Sequence, residues 1–294
     1  MGSEFGIVLR AVGGFYDVRN DAGVMIRCRP RGRMRLENLI ILAGDRVAYT
    51  AINEEQGVIE RVLPRKTVLT RPAVANIDQM IVVSACTRPE PQLLLIDRLM
   101  VLAESNGIHP VLCLNKIDLV DADVPEQLVA IYEKAGYQVI KCSAKVGTGI
   151  EELRICLAGQ ISSFAGPSGA GKSSLLNALE PTLSLVTSAV SQKTGRGRQT
   201  TRQVELMELS TGGYVADTPG FSQLRLSGID VLELDIYFPE IDQRSADCRF
   251  TSCLHRGEPD CSIPEAVQQG QIAPSRLDSY LLFLEELEQD NDYY

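Results

Sequence analysis

Apolar and polar positions alternate in short runs over 6–11, 15–19, 24–28, 45–50 and 57–62, with turn residues between the runs and a hairpin signal at Asn20-Asp-Ala-Gly23. Five short strands in so little chain predict a small closed β-barrel of OB-fold type over 6–73, with Pro64 and Pro72 flanking its exit. From 74 to 228 the pattern changes. The runs 79–84, 110–114 and 160–165 are almost continuously apolar, as strands buried on both faces are, and 137–142 and 213–217 add two more strands. Helical spacing covers 93–106, stopped by Gly107, and returns over 124–135, 149–157 and 172–179. That alternation predicts a doubly wound α/β domain. The remainder, 229–294, holds helices over 264–269 and 275–288. The second carries an apolar stripe of Leu277, Tyr280, Leu281, Leu284 and Leu287, which should pack on its own domain. Met1-Gly-Ser-Glu-Phe5 reads as an expression-vector remnant outside the fold.

Composition changes this picture in two places. The formal net charge of −9 argues against nucleic acid only until it is divided along the chain. Residues 6–73 carry twelve Arg/Lys and seven Asp/Glu, or +5, and the rest of the chain carries 17 and 31, or −14. Five of the basic residues, Arg27, Arg29, Arg31, Arg33 and Arg35, fall in one stretch that reads as an RNA-contacting loop of the barrel, since local charge sets phosphate affinity. Few aromatics accompany it, so phosphate contact should outweigh base stacking. Of eight cysteines, 28, 86, 113, 142 and 156 are scattered, several in apolar strands, as small core residues of a reduced cytoplasmic protein. No apolar run is long enough to span a membrane.

The chemistry is concentrated in the middle of the chain. Gly166-Pro167-Ser168-Gly169-Ala170-Gly171-Lys172-Ser173 is a full GxxxxGK[ST] phosphate loop between a strand and a helix that continues with Ser174. Its glycines let successive N–H groups face phosphates, Lys172 should reach the β- and γ-phosphates, and the Ser173 hydroxyl should ligate Mg²⁺. Asn115-Lys116-Ile117-Asp118 ends a buried strand, and Asp118 can accept hydrogen bonds from the guanine ring N–H and amine, which adenine does not offer. One strand later Ser143-Ala144-Lys145 reads as a second base-contacting loop. Asp217-Thr-Pro-Gly220 follows a further strand, placing Asp217 near Mg²⁺ and the Gly220 N–H at the γ-phosphate. Between them, 193–202 is polar, basic and Gly-rich, the composition of a switch loop whose threonine, Thr201 or alternatively Thr200, joins Mg²⁺ with GTP. The guanine-reading motif precedes the phosphate loop by about fifty residues, so the GTPase core has been cut and rejoined elsewhere along the chain. Near the end, Cys248, Cys253, His255 and Cys261 form C-x₄-C-x-H-x₅-C, a Cys₃His set suited to tetrahedral Zn²⁺, with Arg244, Arg249 and Arg256 around it.

In this order, the motifs resemble the circularly permuted GTPases of the bacterial ribosome small subunit-dependent GTPase A family, and the likeness covers nearly the whole chain. The resemblance implies an N-terminal OB-fold barrel, a permuted P-loop GTPase domain and a C-terminal zinc-binding helical region. It implies binding to the 30S subunit and 16S rRNA late in maturation, and hydrolysis of GTP to GDP and phosphate under stimulation by the subunit. The cofactors are expected to be one structural Zn²⁺ per chain and Mg²⁺ with GTP, in a monomer with no membrane partner. One position departs from expectation. Phe221 stands where many GTPases carry a water-orienting glutamine, and Gln199 occupies the slot before the Thr-Thr pair where many family members carry a catalytic His. The resemblance transfers the water to Gln199, although an amide positions water without acting as a base. The rival reading is a structural RNA-binding protein that uses guanine nucleotide only as a conformational ligand. A metabolic P-loop kinase is a weaker rival, opposed by the Asn-Lys-x-Asp loop.

Overall fold

The computed structural model describes residues 4–32, 34, 40–70, 73–183, 204–217, 225–226 and 228–291. The barrel strands are β1 (Glu4–Val12), β2 (Phe15–Asn20), β3 (Met25–Pro30), β4 (Arg46–Ala51) and β5 (Gln56–Val62). β6 (Val68–Thr70) and β7 (Ala73–Ala75) form a two-stranded hairpin after them. There follow β8 (Gln79–Ala85), α1 (Leu93–Ser105), β9 (His109–Asn115), α2 (Asp123–Lys134), β10 (Gln138–Lys141), α3 (Ile150–Leu157), β11 (Ile161–Ala165) and α4 (Lys172–Leu179). β12 (Glu205–Glu208), β13 (Tyr214–Asp217), α5 (Pro239–Ser245), α6 (Ile263–Gln268) and α7 (Pro274–Asn291) complete the chain. By compactness it divides into two units, Met1–Met80 with Arg154–Phe164 and Ser191–Ser222, and Ile81–Leu153 with Ala165–Val190 and Gln223–Tyr294.

In the first unit, the barrel closes in the order β1-β2-β3-β5-β4. β3 and β5 run parallel and the other neighbouring pairs antiparallel, an OB-like arrangement. Its interior is Val8, Val18, Ile26, Cys28, Val47, Tyr49 and Ile59, the inward set of each alternation. β1 starts two residues before the sequence places it. Glu4 and Phe5 pair with Tyr49 and Ala48, and the Tyr49 hydroxyl donates to the Glu4 carboxylate at 2.6 Å, so two residues read as a remnant are barrel strand. A second difference concerns the basic stretch. Arg27 and Arg29 lie not in a loop but on the exposed face of β3, alternating with buried Ile26 and Cys28. The run of charge hid a period-two strand. Arg33 and Arg35 lie outside the described residues.

The larger sheet has the order β10-β9-β8-β11-β13-β12. β8, β9 and β11 are buried almost throughout, as strands covered on both faces must be. β9–β10 and β11–β13 are parallel, whereas β12 runs antiparallel to β13, which the polar sequence before 213 does not announce. In the second unit, α1 buries Ile96, Leu99, Met100 and Ala103 and α2 buries Pro125, Leu128, Val129 and Tyr132, each at helical spacing. Gly107 follows α1 at φ +67° and ends it. The α7 stripe packs inside its own unit as expected, with Tyr280, Phe283, Leu284 and Leu287 against Phe238, Ile241 and Ile263. Ahead of the cysteines lie a 3₁₀ segment, Val231–Tyr237, and α5, both too short to give a periodic signal in the sequence.

One buried ion cluster ties these elements together. Arg276 of α7 is fully buried and donates to Glu240 of α5 at 2.6 and 3.2 Å and to Asp97 of α1 at 2.8 Å. Tyr132 also donates to Asp97 at 2.8 Å, and the guanidinium lies 4.5 Å from the Phe238 ring centroid. Burial opposes the charge on Arg276, yet Glu240 and Asp97 hold its pKa well above the ordinary value. Arg276→Ala would strand two carboxylates without their cation. A loss of about 3–5 kcal/mol is expected, measurable by urea unfolding, because breaking a buried pair leaves charge uncompensated. A loss below about 1 kcal/mol would show that water reaches the cluster.

Candidate functional site

The nucleotide motifs meet in the second unit. Gly171 closes the phosphate loop at φ +100° as the cap of α4, and a Cβ there would lie 2.2 Å from the Asn115 amide nitrogen. Gly166, at φ +139°, would set a Cβ 2.1 Å from the Val83 carbonyl oxygen. Both positions therefore exclude any side chain, and the cradle is left to backbone N–H groups. Lys172 starts α4, and its amine donates to the Gly166 and Pro167 carbonyls at 2.8 and 3.0 Å. Burial holds its pKa below the ordinary lysine value. Ser173 and Ser174 follow in the same first turn.

Asn115 joins the loops. It is buried, its amide donates to the Ala170 carbonyl at 3.0 Å, and its oxygen accepts from the Ala144 N–H at 3.2 Å. Lys116 takes the left-handed φ of 63°, unusual for a residue with a side chain, and its amine donates to the Gly169 and Arg88 carbonyls at 2.7 and 2.6 Å. The Ile117 N–H donates to Cys142 O at 3.3 Å. The Ser143 hydroxyl donates to one Asp118 oxygen at 2.6 Å, fixing the carboxylate's orientation. Asn115, Lys116, Asp118, Ser143, Ala144, Lys145, Gly171 and Ser174 line one cavity of about 250 Å³, together with Leu119. Leu119 escaped the sequence reading, its only signal being its place after Asp118. The Arg88 carbonyl, in the turn after β8, was equally unforeseen. Donor-lined loops at one end and a fixed carboxylate at the other fit a guanine nucleotide.

The remaining nucleotide positions are only partly visible. Asp217 ends β13, where its backbone pairs with β12. Gln199, Thr200, Thr201, Gly220 and Phe221, and the whole of 193–202, lie outside the described residues.

Cys248, Cys253, His255 and Cys261 come together with their ligand atoms all within 4.8 Å of one another. The fit to a tetrahedral metal can be tested. Zinc–sulfur bonds of about 2.3 Å and zinc–nitrogen bonds of about 2.0–2.1 Å imply edges of about 3.8 Å between sulfurs and about 3.6 Å from sulfur to nitrogen. Cys248 Sγ and Cys261 Sγ are 3.9 Å apart, and His255 Nδ1 is 3.6 and 3.5 Å from them. The residues fit zinc. His255 is buried at φ 57°, and its other nitrogen, Nε2, has no hydrogen-bond partner but faces the Asp235 carboxylate at 3.7 Å, which selects Nδ1 as the ligating atom. The Glu258 carboxylate accepts from the Leu254 and Arg256 N–H groups at 2.8 Å each and shapes the turn around His255. The Ser262 N–H donates to Cys248 Sγ at 3.4 Å. Of the nearby cations, Arg249 is paired with Asp260 at 3.0 Å, Arg244 with Asp247 at 3.7 Å, and Arg256 with Glu288. All eight cysteines are free thiols, and Cys28, Cys86, Cys113 and Cys142 are buried.

Comparison with known proteins gives matches along nearly the full length. Residues 62–227 match the family model described as RsgA GTPase, and 5–59 match the RsgA N-terminal domain. The small ribosomal subunit biogenesis GTPase RsgA of Moorella thermoacetica is 49% identical over 285 residues, covering 96% of this chain and 97% of that protein. The protein of the same name from Caldanaerobacter subterraneus subsp. tengcongensis is 46% identical over 284 residues, covering 97% and 96%. Among solved structures, YjeQ from Thermotoga maritima superposes with a TM-score of 0.86 at 43% identity, covering 97% of this chain and 99% of that one. YloQ, described as a circularly permuted GTPase, gives 0.85 at 35% identity, covering 98% and 96%.

Proposed function

Because this chain belongs to the RsgA GTPase family, a family of GTP hydrolases, we propose that it acts in biogenesis of the small ribosomal subunit by binding the 30S particle late in its maturation. Subunit binding stimulates hydrolysis of GTP to GDP and phosphate. The observation that carries the nucleotide part is Asn115, which holds the phosphate loop and the second base loop to one cavity. The partner comes from what the relatives are called. In this reading the parts are a barrel over 6–73 on 16S rRNA, the permuted GTPase domain over 74–228 and the zinc-binding helical region over 229–294. The protein works as a monomer in the cytoplasm, where its partner matures. Among the described residues no helix is long and apolar enough to cross a membrane.

Within the site, Asp118 reads guanine, with Asn115, Lys116, Ile117, Ser143, Ala144 and Lys145 shaping the base pocket. The backbone of 166–171 and the amine of Lys172 bind the phosphates, and Gly220 senses the last of them. Ser173, Thr201 and Asp217 would hold Mg²⁺, which neutralises charge developing on the transferred phosphoryl group. Gln199 positions the attacking water once the subunit orders 193–202, an arrangement the free chain lacks.

GTP turnover with purified 30S, with 50S and with neither tests the proposal. Slow basal turnover with strong stimulation by 30S alone is expected. No turnover under any condition would favour the rival of a structural RNA-binding protein. Gln199→Ala should remove most of the stimulation, roughly a hundredfold or more at the scale of a lost water-positioning group, while GTP-dependent 30S binding persists. Full stimulation of that variant would assign the water to another group.

A further inference from the structure

The outer face of the barrel holds a second cavity, of about 180 Å³, apart from the nucleotide site. Phe15 at the start of β2 carries the Arg29 guanidinium 4.4 Å above its ring, with Arg27 at 5.8 Å. Ile52 and Gln56 border the β4–β5 turn, and Val58 of β5 completes the wall. The volume is below the roughly 300–1,000 Å³ of sites that enclose a whole small-molecule ligand. It is the scale of a single flat group.

The polar groups here are unequally committed. Arg27 donates to Asp17 at 3.0 Å, and Asp17 also accepts from Arg10 at 2.5 Å, so that carboxylate is already shared by two cations. No acidic residue lines the cavity. Among the described residues the Arg29 guanidinium meets no acceptor, only the Phe15 ring, which holds it flat. The Gln56 N–H is fixed by Asn53 at 2.8 Å, while its side-chain amide, one donor and one acceptor, has no partner among the described residues. A planar cation on an aromatic ring stacks bases on its open face, and an amide meets a base edge.

We propose that this cavity receives one unstacked nucleotide of a single-stranded RNA, its base laid on the Arg29 guanidinium with Gln56 at its edge and its phosphate beside Arg27. The inference rests on the small-subunit reading for the origin of the RNA. A base inside a duplex offers no free face, so paired RNA is excluded from this site. Glu54 and Glu55 stand on the same turn and oppose a long polyanion, which confines the phosphate contact to about one or two and keeps the salt dependence shallow.

The test uses the full chain and a short oligoadenylate carrying one 2-aminopurine, read by anisotropy and by 2-aminopurine emission. A blunt RNA duplex, AMP alone and poly-glutamate serve as competitors. Phe15→Leu keeps apolar volume but removes the ring, and Arg29→Lys keeps the charge but removes the plane. Each should weaken the oligonucleotide by roughly five- to tenfold, as loss of one base stack does, and should abolish the emission change. Basal GTP turnover should not move. Unchanged binding by both variants, or equal competition by duplex or poly-glutamate, would overturn the proposal. Binding by AMP as tight as the oligonucleotide's would also overturn it in favour of a free mononucleotide. Co-sedimentation with 30S separates the two readings. If the chain pellets with 30S but gives no stacking signal, only this cavity's assignment fails. If it stacks the oligonucleotide but ignores 30S, the small-subunit reading fails.

Discussion

Asp118→Asn is expected to lower GTP affinity by about 10²–10⁴-fold and to transfer preference to xanthosine triphosphate. The carboxylate faces the base cavity with one oxygen held by the Ser143 hydroxyl at 2.6 Å. Guanine offers its ring N–H and exocyclic amine to such an acceptor, two charge-assisted hydrogen bonds worth about 1.5–3 kcal/mol each. Adenine presents an acceptor in the same place and would leave the carboxylate unpaired, which is why polar sites of this kind discriminate by about 10⁴–10⁵. The asparagine amide turns an acceptor into a donor, and the 2-oxo group of xanthine accepts it. Calorimetric titration with GTP, ATP and xanthosine triphosphate decides the matter. Equal affinity of the unaltered protein for ATP and GTP would remove Asp118 from the base-reading role. Ser143→Ala should cost far less, since it only loosens the carboxylate's orientation.

Metal removal is the second large effect. Purified protein should contain one zinc per chain, and chelation or Cys253→Ser should unfold the segment around 246–262. Zinc binding supplies about 10–16 kcal/mol of apparent stabilisation in small zinc-finger peptides, and little else holds this segment. His255 is its main buried anchor, and most of its remaining bonds are local turns such as those to Glu258. The structure also limits the damage. Arg276, Glu240 and Asp97 pin α7 and α5 to α1 independently of the cysteines, so those helices should persist in the metal-free protein. Hydrogen exchange should therefore show a sharp loss of protection at 246–262, slight change in α7, and GTP affinity nearly unaltered. Full protection of that segment without metal would refute a structural zinc.

The strands, most of the helices and the local motifs were legible because their signals are short-range. A buried parallel strand is a continuous apolar run, a phosphate loop needs glycines at fixed spacing, and thiolate and imidazole ligands lie close in sequence. Those features named the OB-like barrel, the permuted order of the GTPase core and the Cys₃His set. Short-range signals failed where charge or brevity masked the period. β3 passed for a basic loop because its exposed face is arginine, and α5 has too few residues to show a helical repeat.

What only the tertiary structure decided are the contacts that span the chain. Asn115 bonds Ala170 across 55 residues, and Arg276 bonds Asp97 across 179. No spacing rule predicts either, because a buried polar side chain is satisfied by whatever the packing brings to it, not by its neighbours in sequence. The same holds for the choice of His255 Nδ1 over Nε2, made by Asp235 twenty residues earlier, and for the flat Arg29 on Phe15. The sequence determined which groups are present and in what local geometry. The fold determined which of them share a cavity, because burial removes water and obliges distant donors and acceptors to find one another.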